Sequence, residues 1–578
     1  MEMPRMRPPM GWFPIPEYVK RAAEKYPDTV AMRIKRGKDW FSYTYGELLQ
    51  KMKRLSAFLR NEGIGEGDKV SVLGENRPEW GLCYLGIQWA GATVVPLDAR
   101  LKPPEYLHIM NDAGVKLLFV SASRLGDIEE IKDKVPSLKK IVTMDEVNGY
   151  LSLDKIFDSF TEEPPMEKIK LDDLAVILYT SGTTGTSKGV MLSHKNIASN
   201  IDGIYQIIDV DHGDRSFSFL PLHHVFEATA GFLFMLSIGG TITFARSLKP
   251  TEMIPDMQET KPTLMTTVPL LLEKFLLRIR GELKKSVAKR AIIGGMKGVA
   301  KGLSPIFGRR VKSKIFKSLL GKLGLEEARY IVSGGAALPP WVSRGLEELG
   351  FPILQGYGLS ETAPVLTVNP PCCPRNVSAG LPLPYVEIKI MDPDPEGVGE
   401  IAARGPNVMP GYYNNEEATR EVFTEDGWFL TGDVGYLDED GFLYITGRKK
   451  AVIVTPGGKN IFPEEVESVL LQSPFIEEVL VVRGANPITG GEEVQAIVYP
   501  NFEELDLYFR EKKNPNPTEK DIEEKIREEI EKYSEQLAEY KRPKRFKLRD
   551  EEFPKTTTRK IKRYLFEEKS VPLSKEKK

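Results

Sequence analysis

Tyr179 to Val190 reads YTSGTTGTSKGV and follows the apolar run AVIL at residues 175–178. It contains Thr180, Ser181, Gly182, Thr183, Thr184 and Gly185, and then Lys188. Small hydroxyl residues and glycines leave backbone N–H groups free to approach an oxyanion, and a lysine adds a positive charge within reach. Gly182 and Gly185 can take backbone angles that other residues resist. The chemistry suited to such a segment is the binding of phosphate oxygens. The spacing differs from the G-x-x-x-x-G-K-[ST] loop, because Ser187 precedes Lys188 and Gly189 follows it. By composition alone the segment reads equally well as a Thr/Ser/Gly surface loop.

Further strings stand in order along the chain. They are GDKVSVLGENRPEW from Gly67, AGATVVPLD from Ala90, PLHHVF from Pro221, SGGAALPP from Ser333 and GYGLSET from Gly356. GWFLTGDVG from Gly427, TGRKK from Thr446, TPGGKNIFPEEVE from Thr455 and PKTTTRKIKR from Pro554 complete the set. With the phosphate-type loop, they make a chain that resembles, over nearly its whole length, the acyl-adenylate-forming (AMP-binding) superfamily. That superfamily holds acyl-CoA synthetases, luciferases and peptide-synthetase adenylation domains. Within it the chain looks most like the long-chain fatty acyl-CoA synthetases.

The resemblance implies a role for each matching residue. Thr180 to Gly185 and Lys188 would hold the phosphates of ATP. Gly335, Ala336, Gly356, Tyr357 and Gly358 would form the adenine side, where Tyr357 offers a flat face and the glycines allow close approach. Ser360 would face a phosphate. Glu361 would hold Mg²⁺, because a hard cation prefers carboxylate oxygen, and Thr180 would be its second protein contact. Asp433 would accept both ribose hydroxyls, with Arg448 on the other side of the sugar. His224 would line the acyl pocket. Lys450 would be the hinge about which a C-terminal domain turns. Lys560 matches the catalytic lysine of relatives, which usually read PKT-x-x-GK. Here Arg559 replaces the glycine, which puts the shape of that loop in doubt.

The implied reaction has two steps. A carboxylate attacks the α-phosphate of ATP and pyrophosphate leaves. Then the thiol of coenzyme A attacks the acyl-adenylate and AMP leaves. Lys188, Glu361 and Lys560 carry the catalytic expectation, by fixed electrostatic stabilisation of phosphoryl charge.

The elements that must position these residues follow from apolar runs and their punctuation. Strand patterns at 70–73, 92–96, 116–121 and 175–179 alternate with helical runs at 79–90 and 104–113. Further strands are expected at 241–244, 263–268, 328–332 and 352–355. Strands separated by helices of this length argue for βαβ units and a parallel sheet. After Gly380, short strands among turn residues (386–391, 399–403, 441–446) predict an antiparallel β subdomain, about 380–447. A fresh α+β pattern follows, with a helix at 463–471, strands at 478–483 and 494–499, and a charged helix at 519–539. The expected fold is therefore α/β, with a large N-terminal body (1–447) of βαβ subdomains plus a β subdomain. A small mobile α+β C-terminal domain (448–578) completes it.

At 578 residues the chain is too long for one compact core. Its net charge of −2 carries no nucleic-acid signature. The three cysteines and five histidines lack disulfide-framework or zinc spacing, and this cysteine usage suits a reducing cytoplasm. Residues 228–245 (ATAGFLFMLSIGGTITFA) are uncharged. Gly239-Gly240 divides them into a helical and a β-branched half, so they read as buried helix, turn and buried strand rather than a membrane span.

The acid is less legible. HVFE, at His224 to Glu227, resembles the long-chain group, although Ala228 stands where an arginine is usual there. Residues 281–325 hold twelve Lys/Arg against the single acid Glu282. Ile306, Phe307, Ile315, Phe316, Leu319 and Leu320 are interleaved with these charges. Such a stretch can lie on an anionic membrane, and it reads equally as a solvated basic face. A peripheral place on the inner membrane face and a homodimer are further expectations. The alternative for the second step is another acceptor, an acyl-carrier protein or none.

Overall fold

The structure, a computed structural model, describes residues 6–180, 187–284, 293–301, 310–454, 460–485, 492–555 and 561–567. Two large sheets form the body. The first has seven strands. Lys69–Leu73, Thr93–Leu97, Leu117–Val120 and Lys140–Thr143 run parallel, and Leu174–Thr180 joins them beside Thr93–Leu97. These segments are near-continuous apolar runs because both faces of a parallel sheet are covered. The helix Pro78–Trp89 shows the cover: all twelve of its residues are buried. Its side chains join one core with Val70, Val94 and Val176 of this sheet and Ile242 and Leu264 of the other.

The second sheet has nine strands. Its central parallel part is Tyr330–Ser333, Leu264–Thr267, Arg215–Ser218 and Thr241–Phe244. Ile353–Gly358 continues it on one side, parallel to Tyr330–Ser333. On the other side lies the hairpin Val30–Arg36 and Asp39–Thr44, which the sequence reading did not anticipate. Its residues are mostly only half-buried, so an apolar run is absent. A second missed strand, Lys188–Ser193, returns antiparallel to Leu174–Thr180.

Residues 228–245 are the expected buried helix, turn and strand. Glu227–Leu233 is a π-helix, Phe234–Ser237 a short α-helix and Thr241–Phe244 a strand, with Gly239 at φ +76° between them. Among the described residues no helix is long and apolar enough to cross a membrane. The basic stretch departs from its expectation. Phe316 and Leu320 are buried in a second core, with Ile315 and Leu319 packed against it. Their helical turns dock on Phe351 and Leu346, so these apolar groups are not offered to a membrane. Ile306 and Phe307 lie outside the described residues.

A four-stranded antiparallel sheet follows: Glu387–Met391, Gly399–Arg404, Phe429–Leu437 and Leu443–Arg448. Beyond it Ile476–Ala485, Glu492–Pro500 and Arg545–Leu548 form a sheet of their own. Helices Pro463–Leu470 and Glu519–Ser534 pack on it around Val466, Leu470, Ile526 and Ile530. The charged helix stops at Ser534 rather than 539. Leu537 instead turns into that core, and Glu539–Lys541 form a separate turn.

Glu227 is a buried acid within the body. One carboxylate oxygen accepts a short hydrogen bond from Thr266; the other has no partner of good geometry among the described residues, with the Ser218 hydroxyl as its polar neighbour. A Cβ on Gly231 would stand 2.6 Å from its carboxyl carbon, so the carboxylate lies against bare backbone. Burial raises its pKa to about 7. A raised carboxyl pKa means that the folded state holds the proton longer than the unfolded one. Stability is then lost as pH rises from the ordinary carboxylate range to about 7. Relative to Glu227→Gln, the wild type should lose about 3 kcal/mol across that window. Urea unfolding of both proteins at pH 5 and pH 8 checks this, and parallel profiles would contradict it.

Candidate active site

The strand Leu174–Thr180 and its return Lys188–Ser193 make a hairpin whose last pair is Thr180 opposite Lys188. Residues 181–186 between them, including Ser181, Gly182, Thr183, Thr184 and Gly185, lie outside the described residues. The hairpin leaves the sheet at the carboxyl end of its parallel strands. Open α/β sheets bind ligands at that end. Gly189 is required here, because a Cβ would stand 2.9 Å from Ile177 and 3.1 Å from the ring of Tyr179.

Glu361 lies in the 3₁₀ turn Ser360–Thr362, after the strand Ile353–Gly358 that carries Gly356 and Tyr357. Ser360 opens that turn. Gly358 admits no side chain: a Cβ would stand 1.8 Å from the carbonyl oxygen of Pro364. One segment ties Glu361 to the phosphate-type hairpin. Met409 N donates to the Glu361 carbonyl at 2.8 Å, and Tyr412 Oη donates to Glu361 Oε1 at 2.9 Å. Tyr413 N donates to the Gly189 carbonyl at 2.7 Å. The Lys188 ammonium stands 5.1 Å from the centre of the Tyr412 ring, within cation–π reach. Burial and the Glu361 charge push the Tyr412 hydroxyl far up, so it stays a donor. Tyr412 was missed in the sequence. Its only signal is a PGYY string between two strand patterns, which reads as a turn.

The second group lies on the β subdomain. Asp433, on Phe429–Leu437, is buried. It accepts from Tyr357 Oη at 2.7 Å and pairs with Arg448 Nε at 2.7 Å. Arg448 is half-exposed and sits opposite Asp433 in the ladder with Leu443–Arg448. The three residues expected around one nucleoside are therefore joined. Burial and the Asp433 charge raise the Tyr357 hydroxyl far above its usual range.

Gly335 and Ala336 are exposed in the loop after Tyr330–Ser333, and Gly335 takes φ +81°. The ring of Phe226 fills the space beside Gly334, where a Cβ would meet it at 2.9 Å. His224 is half-buried, with its ring 4.2 Å from that of His223. Lys450 is exposed in the turn Lys449–Ala451, which links the two last sheets. Lys560 and Arg559 lie outside the described residues. The oxygen donors present suit a hard cation. Glu361 Oε2 has no partner among the described residues, and Thr180 supplies a half-buried hydroxyl.

Residues 19–413 match the AMP-binding enzyme family, and residues 465–560 match the AMP-binding enzyme C-terminal domain. The chain belongs to the AMP-binding enzyme family. This AMP-binding enzyme is 30% identical to a long-chain-fatty-acid–CoA ligase of Bacillus subtilis, over 95% of this chain and 93% of that protein. It is 28% identical to a chloroplastic long-chain-fatty-acid–[acyl-carrier-protein] ligase of Arabidopsis thaliana, over 90% and 80%. Among solved structures it is similar to ATP-bound MatB from Rhodopseudomonas palustris. That likeness has a TM-score of 0.75 and 27% identity, over 96% of this chain and 98% of that one.

The Tyr412 hydrogen bond generates a prediction. A hydrogen bond to a charged group contributes about 1.5–3 kcal/mol. With Glu361 as the expected Mg²⁺ ligand, Tyr412→Phe should raise the Mg²⁺ concentration for half-maximal AMP formation by about tenfold or more. The melting temperature should change little. Unchanged Mg²⁺ dependence would show that Glu361 does not need this tyrosine.

Proposed function

We propose that the enzyme activates a medium- or long-chain fatty acid with ATP and transfers the acyl group to coenzyme A, releasing AMP and pyrophosphate. The observation that carries this reading is the chain of contacts that links three elements. Tyr412 and Tyr413 tie the hairpin ending in Lys188 to Glu361, and Tyr357, on the strand just before Glu361, is bonded to the Asp433–Arg448 pair. The match to the Bacillus ligase over nearly both full lengths supports the fatty acid and the thiol acceptor.

Each chain residue has a defined task in this reading. Asp433 and Arg448 orient the ribose, and Tyr357 flanks the adenine with Gly335, Ala336, Gly356 and Gly358. The 180–185 loop amides and Lys188 hold the phosphates, and Ser360 faces one of them. Glu361 and Thr180 would hold Mg²⁺, which when bound neutralises phosphate charge. In the first step a carboxylate oxygen bonds to the α-phosphorus as the bond to pyrophosphate breaks. Lys188 and Lys560 stabilise the charge that collects on the phosphoryl oxygens, in an environment fixed before reaction. In the second step the thiol, having lost its proton, bonds to the acyl carbon, and AMP leaves. The segment from 448 onward turns about Lys450 between the steps. His224 lines the acid's channel.

Lys560→Ala should slow acyl-AMP formation about a thousandfold, the scale of one lost transition-state contact. Thioester formation from supplied acyl-AMP should fall far less. Equal loss in both half-reactions would remove Lys560 from its role.

A second reading is an acyl-carrier-protein acceptor, favoured by the Arabidopsis relative. Purified enzyme with ATP, Mg²⁺, CoA and acids from acetate to oleate separates the two by mass spectrometry. Acyl-CoA formed fastest from long chains is the expected result. Acyl-AMP without thioester would favour the carrier protein. No AMP from any acid would overturn the proposal.

The basic 281–325 stretch adds peripheral membrane contact to the proposal. Lys314, Lys317 and Lys322 are exposed, whereas Phe316 and Leu320 are buried. Adsorption should therefore be electrostatic rather than insertive. Co-sedimentation with vesicles containing anionic lipid should fall steeply between 50 and 300 mM salt, to roughly background. Salt-independent binding would contradict that mode.

A further inference from the structure

Asp98, His223 and His224 form a cluster apart from the Glu361 and Asp433 groups. Asp98 follows the strand Thr93–Leu97, which runs parallel beside Leu174–Thr180 with Val94 opposite Val176. Asp98 therefore leaves the sheet at the level of Thr180. The two histidines come from the loop between Arg215–Ser218 and the π-helix. One potential ligand atom from each of the three residues lies within 4.8 Å of the other two. His223 Nε2 is 3.2 Å from Asp98 Oδ2. That nitrogen is buried and, among the described residues, has no hydrogen-bond partner of good geometry. Asp98 is itself buried.

We infer that Asp98, His223 and His224 form a site for a divalent transition metal of the Zn²⁺, Co²⁺ or Ni²⁺ class, separate from the Mg²⁺ position. Two imidazoles and one carboxylate are the donors that such ions prefer, whereas Mg²⁺ prefers oxygen alone. Ligand atoms around a tetrahedral ion stand about 3.4 Å apart for bonds of roughly 2.1 Å. The cluster's atoms, all within 4.8 Å of one another, stand close to that spacing. Three protein ligands leave one position open to water or to an entering carboxylate. The metal site stands on this geometry alone. Its consequence rests on the proposed function: His224 lines the acid's channel there, so an ion at this site obstructs the acid and inhibits the first step.

The test uses the full-length protein, freed of metal with a chelator and titrated with Co²⁺ in the absence of Mg²⁺ and ATP. The expected result is one Co²⁺ per chain, with visible d–d absorption. Asp98→Asn and His223→Gln should each weaken that binding at least tenfold. His108→Gln and His212→Gln, at exposed histidines elsewhere, should leave it unchanged. Melting temperatures of the metal-free proteins identify any variant that fails to fold, and His224→Gln then serves in its place. Absent Co²⁺ binding, or binding indifferent to all three cluster substitutions, would overturn the site. Site-specific binding without inhibition of AMP formation by equimolar Zn²⁺ would overturn the obstruction. Because the first readout needs no turnover, its failure is distinguishable from failure of the proposed reaction.

Discussion

The arrangement depends on one short segment, Met409 to Tyr413, that bonds to elements of two different sheets. Its backbone holds the Glu361 carbonyl and the Gly189 carbonyl, and its tyrosine holds the Glu361 carboxylate and faces Lys188. Glu361 belongs to the nine-stranded sheet and Lys188 to the seven-stranded sheet. The two sheets share one core, and the strap adds hydrogen bonds to both at the point where the cation and the carboxylate approach. The Tyr412 ring adds spacing: it admits the ammonium to its face while its hydroxyl occupies the carboxylate, so the two charges are held near each other without closing into an ion pair.

Asp433 shows the opposite solution. Its charge is buried, and it is balanced by a phenol from one sheet and a guanidinium from its own. A buried carboxylate left unpaired would take up a proton. Arg448 is half-exposed and directly precedes the turn that carries Lys450, so the cation paired with Asp433 adjoins that turn. A Cβ on Gly447 would stand 2.8 Å from the ring of Phe462. The four-stranded sheet thus meets the start of the helix Pro463–Leu470 beside that turn.

Much of this was readable in the residues. The parallel strands stood out because covering both faces produces runs such as VSVL, TVVPL and AVIL. Glu361 and Asp433 stood out because their neighbours form recognisable strings, and the structure gives each a hydrogen-bonded tyrosine. Tyr412 was not, because its role arises from two contacts that cross sheets, and no local pattern encodes these. The hairpin at 30–44 hid behind half-buried, mixed side chains. The apolar residues at 315–320 misled for the converse reason. Interleaved with lysines they resemble a surface stripe, yet they dock on Phe351. Amphipathic periodicity reports that one face is covered, but not by what.

The strap also has a consequence for the order in which the chain becomes an enzyme. Gly189 and its partner Tyr413 are roughly 220 residues apart in sequence. A ribosome adding about 5–20 residues per second takes on the order of ten seconds or more to span that interval. Over that period the seven-stranded sheet has all its strands, but Lys188 lacks the tyrosine it faces. The nascent chain therefore carries every strand of the seven-stranded sheet before it carries the segment that ties Lys188 to the Glu361 turn.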